Sequence, residues 1–96
     1  MMVLVTYDVN TESAEGKKRL RQVEKCCVRY GQRVQNSVFE CVLDDAQFRQ
    51  MQHQLITIID EKADSLRFYQ LGNQYRGKVI HNGVKPGYRA EGVLFL

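Results

Sequence analysis

The sequence contains little that would build a covalent or metal-bound framework. Its three cysteines, Cys26, Cys27 and Cys41, are odd in number, and it has neither a CxxC motif nor a Cys/His pair at metal-binding spacing. These absences argue against a disulfide scaffold and against a structural zinc site. The cysteines are expected to be small buried hydrophobic residues in a reducing cytosol, which predicts a cytoplasmic protein.

Long apolar runs and several well-known motifs are also missing. No apolar segment approaches the roughly 20 residues that a membrane span needs, and nothing at the N-terminus resembles a signal peptide. The chain has no GxGxxG, P-loop or GxSxG motif. The sequence therefore predicts no membrane association and no nucleotide-loop or serine-hydrolase chemistry.

Length and charge set broader limits. Ninety-six residues predict one domain, 1–96, near the lower size limit for a self-sufficient core, so a chain this short gains stability by dimerising. The net charge of +3 permits a polyanionic partner without requiring one.

Hydrophobic periodicity predicts the order strand, helix, strand, strand, helix, strand. The predicted segments are a strand at 2–8, a helix at 17–30, two strands within 33–43, a helix that begins at the Asp44 N-cap and a strand at 65–71. This order is typical of the ferredoxin-like α+β sandwich, an antiparallel sheet with both helices on one face. Residues 1–73 would form this core. Residues 74–96, ending in VLFL, predict a C-terminal strand that pairs with a partner subunit.

Asp8 is the one acidic residue in the first strand, and two interpretations of it are open. A carboxylate in a buried strand is costly unless it is paired or binds a cation, so Asp8 either caps the loop that follows or ligates a hard cation such as Mg²⁺. One Asp per chain makes a poor metal site, but a two-fold axis would supply a second copy.

Half of the 14 basic residues lie between Lys17 and Arg33, where Glu24 is the only acid. Lys18, Arg21, Lys25 and Arg29 recur at helical spacing, opposite a core stripe. A solvated helix face and a set of phosphate contacts both explain this pattern.

The polar residues of the segment RVQNSVFEC leave two readings open as well. Gln35, Asn36 and Ser37 would form a hairpin turn, or Ser37 would hydrogen-bond a phosphate or orient Asp8. His53 and His81 have no partner at a spacing typical of zinc or acid–base sites, so both are interpreted as structural or surface residues.

Four segments, in order, resemble one known family. VLVTYDV, KRLRQVEK, YGQRVQNSVFEC and RFYQLGN are similar to segments of the second CRISPR-associated (Cas) protein, the small endonuclease of the spacer-adaptation module. The resemblance runs from Met2 to about Asn73. Its most specific feature is the pairing of YDV with RVQNSVFE.

The resemblance implies a homodimer in which the two Asp8 side chains face each other, bind Mg²⁺ or Mn²⁺ and support phosphodiester hydrolysis of single-stranded RNA or duplex DNA. Tyr7 and Ser37 would join Asp8 in activity. The expected nucleic-acid contacts, from the resemblance and the basic helical face together, are Lys18, Arg19, Arg21, Lys25, Arg29, Arg33 and Phe39.

The resemblance also implies a partner, the CRISPR adaptation integrase, and a rival function. Some family members act as a scaffold that bridges integrase dimers and protospacer DNA without catalysis. A third class, an RNA-recognition or small-molecule regulatory domain on the same fold, ranks lower because the aromatic RNP1 pattern is absent.

Overall fold

The structure, a computed structural model, describes residues 1–84, and its elements follow the predicted order. They are β1 (Met2–Asp8), α1 (Ala14–Tyr30), β2 (Gln32–Gln35), β3 (Val38–Val42), α2 (Asp45–Ile58), β4 (Ser65–Gly72) and a short 3₁₀ turn (Arg76–Lys78). The ferredoxin-like α+β fold is confirmed. The predicted strand at the VLFL terminus lies outside the described residues.

The sheet has the order β2-β3-β1-β4, and every neighbouring pair is antiparallel. β1 is therefore a central strand whose side chains alternate between two faces. Val3, Val5 and Tyr7 are buried in the core shared with the helices. Asp8 is on the opposite face and is exposed, so the acid stands where the strand leaves the core.

The core is made from one face of the sheet and the inner faces of both helices. Phe39, Met51 and Leu55 are among its fully buried side chains. The three cysteines are buried and free, which confirms their expected role as small core residues. Neither α-helix found in residues 1–84 is long and apolar enough to cross a membrane.

The first helix begins three residues earlier than the sequence analysis placed it. The helix starts at Ala14 because Ser13 is its N-cap, and the Ser13 hydroxyl accepts a hydrogen bond from the Gly16 N–H at 3.0 Å. The helix ends at Tyr30, as predicted, and Gly31 follows it as the C-cap. Gly31 has an extended backbone (φ −160°), and a Cβ there would lie 2.4 Å from Cys41 Sγ.

The second helix begins at the predicted N-cap, Asp44, which forms a capping box with Gln47. Asp44 accepts from the Gln47 N–H at 2.7 Å, and the Gln47 side chain accepts from the Asp44 N–H at 3.0 Å. Ile59 follows the last helical residue and packs against the core. β4 ends at Gly72, whose φ of +79° is a conformation that favours glycine.

Candidate functional site

The end of β1 lies against the β2–β3 turn, so the two most distinctive sequence motifs meet in space. The Tyr7 N–H donates to the Ser37 carbonyl at 3.2 Å, and the Tyr7 hydroxyl donates to the Asn36 carbonyl at 3.3 Å. Arg33 donates to the same Asn36 carbonyl. The turn is thus fixed directly beside the strand end that carries Asp8.

Tyr7 is a buried hydrogen-bond donor at the place where the end of β1 meets the β2–β3 turn. Its ring stacks near that of Phe39, with centroids 6.3 Å apart. Burial, reinforced by the carboxylate of Glu24, raises the pKa of Tyr7 well above its ordinary value. The phenol therefore stays protonated at neutral pH, where it can donate a hydrogen bond but cannot act as a base.

The Arg33 guanidinium makes three contacts with neighbouring groups. Its charged group is 4.9 Å from the centroid of the Phe39 ring, and Nη2 is 3.6 Å from a carboxylate oxygen of Glu24. The third contact is the Asn36 carbonyl. Phe39 has no exposed surface. The ring predicted to contact nucleic acid thus faces the core and Arg33 in this structure.

Asp8 is exposed and sits opposite Ser65 in the register of β1 with β4. It borders an open groove of about 410 Å³ that Asn10, Glu12 and Asp64 also line. Within residues 1–84, no group of three or more His, Cys, Asp or Glu side chains is placed to hold a metal ion. Asp8 is therefore an exposed hard-oxygen ligand at the end of β1, and the described part of one chain does not supply the further ligands of a complete metal site.

The predicted basic residues divide into two groups. Arg19 and Arg33 take part in the two ion pairs present within residues 1–84. The remaining predicted cations are exposed on α1: Lys18, Arg21, Lys25 and Arg29. The structure therefore brings four of the predicted contacts together on one helix surface and separates two from it.

The Arg19 guanidinium binds a carboxylate of the same chain, whereas the sequence predicted that it would contact nucleic acid. Its Nε and Nη2 atoms donate to the two carboxylate oxygens of Asp64 at 2.8 and 3.2 Å. Asp64 has no exposed side-chain surface and also accepts from the backbone N–H groups of Asn10 and Asp60. The hydrogen bonds from Arg19 are the main reason why the pKa of Asp64 falls to about 2.

Sequence reasoning missed Asp64 and Glu24 as members of the site. Glu24 appeared only as an interruption of the basic stretch, because its partner Arg33 lies on β2, beyond the end of the helix, where helical spacing gives no signal. Asp64 is 45 residues from Arg19, and no local pattern connects positions so far apart.

Comparisons with known proteins agree with this architecture. A sequence model of the family described as CRISPR associated protein Cas2 matches residues 1–79. The chain is 56% identical over 91 residues, 95% of each chain, to a Halalkalibacterium halodurans protein named CRISPR-associated endonuclease Cas2. It is 52% identical over 96 residues to a Nitratidesulfovibrio vulgaris protein named CRISPR-associated endoribonuclease Cas2, covering 100% of this chain and 94% of the relative.

A solved structure supports the same relationship. The crystal structure of Streptococcus pyogenes Cas2 matches with a TM-score of 0.75 and 61% sequence identity, covering 86% of this chain and 100% of that one. The similarity thus extends to both sequence and fold.

Proposed function

The chain belongs to the Cas2 family of CRISPR-associated proteins, and from this premise we propose that it is a metal-dependent endonuclease of spacer acquisition, a step of antiviral defence. It acts as a homodimer, with Mg²⁺ or Mn²⁺, on phosphodiester bonds of RNA or double-stranded DNA. The names of its relatives, endonuclease and endoribonuclease, support the reaction class.

The observation that carries this proposal is the exposed Asp8 carboxylate at the end of a central strand. An exposed carboxylate is the kind of ligand that Mg²⁺ prefers, and Mg²⁺ binds through one or two carboxylates while keeping several waters. Each chain offers one such ligand here, so the site is completed by Asp8 of a second copy across a two-fold axis.

Each residue around Asp8 then has a definable task. A bound divalent cation would polarise the scissile phosphate and lower the pKa of an attacking water. Asp8 would hold that cation. Tyr7 and Arg33 fix the β2–β3 turn through the Asn36 carbonyl, which keeps Ser37 beside the strand end. The exposed cations of α1 hold the polyanionic substrate and offset its charge.

The direct test is cleavage of labelled duplex DNA and single-stranded RNA, in Mg²⁺ and in EDTA, by wild type and by Asp8→Asn. We expect metal-dependent cleavage that Asp8→Asn abolishes while the dimer stays folded. Glu12→Gln is the matched control, because Glu12 borders the same groove and should be dispensable. Cleavage at the wild-type rate by Asp8→Asn would overturn the mechanism.

A second candidate function rests on the exposed cations of α1. Several α1 cations form no ion pair within residues 1–84, among them Lys18, Arg21, Lys25 and Arg29, and they suit a scaffold that binds protospacer DNA by its phosphates and docks the adaptation integrase at either end. This role needs no catalysis. Duplex binding would then fall steeply with salt and show little sequence preference.

Charge reversal tests the scaffold. Replacing Lys18, Arg21 and Arg29 with Glu should remove duplex binding, and unchanged affinity would show that these cations form only a solvated surface. Wild type that binds duplex but cuts no substrate, in any metal, would favour the scaffold over the nuclease.

Two further parts of the proposal concern organisation. Residues 1–96 form one domain, with 1–73 as the core and 74–96 as a segment that dimerises. The protein works in the cytoplasm, where its three buried thiols stay reduced.

A further inference from the structure

A groove between α1 and α2 is lined mainly by polar and positively charged side chains. It has a volume of about 380 Å³, and Lys25, Arg29 and Gln54 are among the residues that line it. Cys26 forms part of its floor and is almost fully buried. None of the residues that line this groove is acidic.

Contacts from α1 orient two glutamines of α2: Gln54, which lines this groove, and Gln50, which lies one helical turn before it. The Cys26 thiol donates to Gln54 Oε1 at 3.4 Å, and the Tyr30 hydroxyl makes a longer contact with Gln50 Oε1 at 3.5 Å. Each amide thus points its carbonyl oxygen at α1, which leaves the NH₂ group as the free donor. Thr57 adds no donor, because its hydroxyl proton is used on the Gln54 main-chain carbonyl at 2.7 Å.

The result is a row of donors from two helices. We call it the donor seam and define it as Lys25, Arg29, Gln50 and Gln54. On each helix the two members are four residues apart, which places them about 6 Å apart along the helix axis. A surface that offers ammonium, guanidinium and amide donors without a carboxylate selects a ligand that presents repeated anionic acceptors.

We propose that the donor seam binds one phosphodiester strand of a nucleic acid and that Gln54 contacts it directly. This inference deepens the proposed function and rests on it, because it specifies where on the helical layer the nucleic acid lies. It places α2 in the nucleic-acid interface, although the predicted cationic contacts on the helices all lie on α1. Lys18 and Arg21 continue the cationic surface from the seam along α1, which a long periodic polyanion can follow.

An acidic protein segment is the rival occupant, and the lining disfavours it. Protein interfaces concentrate their energy in well-packed apolar or aromatic anchors. Among the residues that line this groove, the apolar ones are Cys26, which is buried, and Ile58, which already packs against the core. The groove thus offers hydrogen-bond donors rather than a pocket for an anchor.

Fluorescence anisotropy with a labelled DNA duplex and a labelled single strand, both in EDTA, tests the proposal without requiring cleavage. Gln54→Glu replaces the free NH₂ with a charged oxygen and should weaken binding about tenfold. Gln52→Glu is the matched control, since it makes the same change on the same helix but about half a turn away, and it should weaken binding much less.

Neutral variants separate a lost donor from an added charge. Gln54→Met removes the donor at similar size and should weaken binding about threefold without changing the salt dependence. Lys25→Met combined with Arg29→Met should lower the slope of log K against log salt by about 2, whereas Arg49→Met on the exposed part of α2 should leave it unchanged. Circular dichroism confirms that each variant is folded.

The outcomes are distinguishable from those of the nuclease test. If Gln54→Glu binds within about twofold of Gln52→Glu, the donor seam is overturned whether or not the protein cuts. If polyglutamate competes as well as an oligonucleotide of equal charge, and loses the same affinity in Gln54→Glu, the seam binds an acidic protein and the proposal is wrong. Absence of cleavage by wild type would count against the nuclease alone.

Discussion

Arg19 and Asp64 form a two-point ion pair that joins α1 to the segment before β4. Two guanidinium nitrogens meet two carboxylate oxygens at 2.8 and 3.2 Å. The same carboxylate accepts the backbone N–H groups of Asn10, after β1, and Asp60, after α2. The buried Asp64 carboxylate thus connects four parts of the chain. Because one of them is Asn10, two residues after Asp8, this network helps to fix the backbone that follows β1.

This arrangement predicts an acid-sensitive contribution to stability. The pKa of Asp64 is about 2 in the folded protein, below its ordinary value of 3.8. A carboxylate whose pKa is lowered by folding stabilises the fold at pH values above its unfolded pKa and loses that contribution as the pH falls through the folded pKa. We therefore expect wild type to be more stable than Asp64→Asn at neutral pH, with the difference vanishing between about pH 4 and pH 2.

Urea unfolding across that pH range measures the difference. Glu12→Gln is the control, because Glu12 is exposed and its loss should change stability by no more than about 0.5 kcal/mol. A stability gap between wild type and Asp64→Asn that persists unchanged at the lowest pH would contradict the assigned role.

The exposure of the α1 cations could be predicted from the sequence, but the ion pair of Arg19 could not. Helical spacing correctly placed Lys18, Arg21, Lys25 and Arg29 on an exposed surface, because solvent exposure follows from position on a helix. The partner of Arg19 could not be found this way. Its position depends on how the segment before β4 packs against α1, which is a tertiary relationship.

The elements themselves were largely predictable, since their signals are local. The Asp44 capping box and the β2–β3 turn at Asn36–Ser37 both depend on a few consecutive residues. The early start of α1 was missed because the polar segment before Lys17 is equally typical of a loop, and only the Ser13 contact distinguishes the two.

The thiols should be unreactive in the folded protein. Cys27 and Cys41 have no exposed surface, and burial raises the pKa of each thiol, that of Cys41 to about 11. Because the thiolate is the reactive form, we expect negligible reaction with Ellman's reagent under native conditions at mildly alkaline pH, and full reaction in guanidinium chloride. Rapid native labelling of any of the three would show that α1 opens away from the sheet.

Gly31 should tolerate no side chain. A Cβ there would lie 2.4 Å from both Cys41 Sγ and the Glu40 carbonyl oxygen, and the backbone oxygen cannot move aside without disturbing β3. We expect Gly31→Ala to cost about 1–3 kcal/mol through overpacking. Gly77→Ala is the control, since a Cβ at Gly77 meets nothing within 4 Å. Equal unfolding midpoints for the two variants would refute the steric explanation.

Substitution of Tyr7 should show how much the contact between the end of β1 and the β2–β3 turn contributes to stability. Its hydroxyl donates to the Asn36 carbonyl at 3.3 Å, and burial raises its pKa. Because the carbonyl keeps its bond from Arg33, Tyr7→Phe should cost only about 1 kcal/mol.

Alkaline absorbance titration isolates this residue from the other tyrosines. In wild type, one phenol should ionise only as the protein unfolds, since its charged form is excluded from the core. That late step should be absent from Tyr7→Phe and unchanged in Tyr69→Phe, because Tyr69 is on the exposed face of β4. If Tyr7→Phe retains the late step, the buried phenol is another tyrosine and the junction at Asn36 is more open than the structure shows.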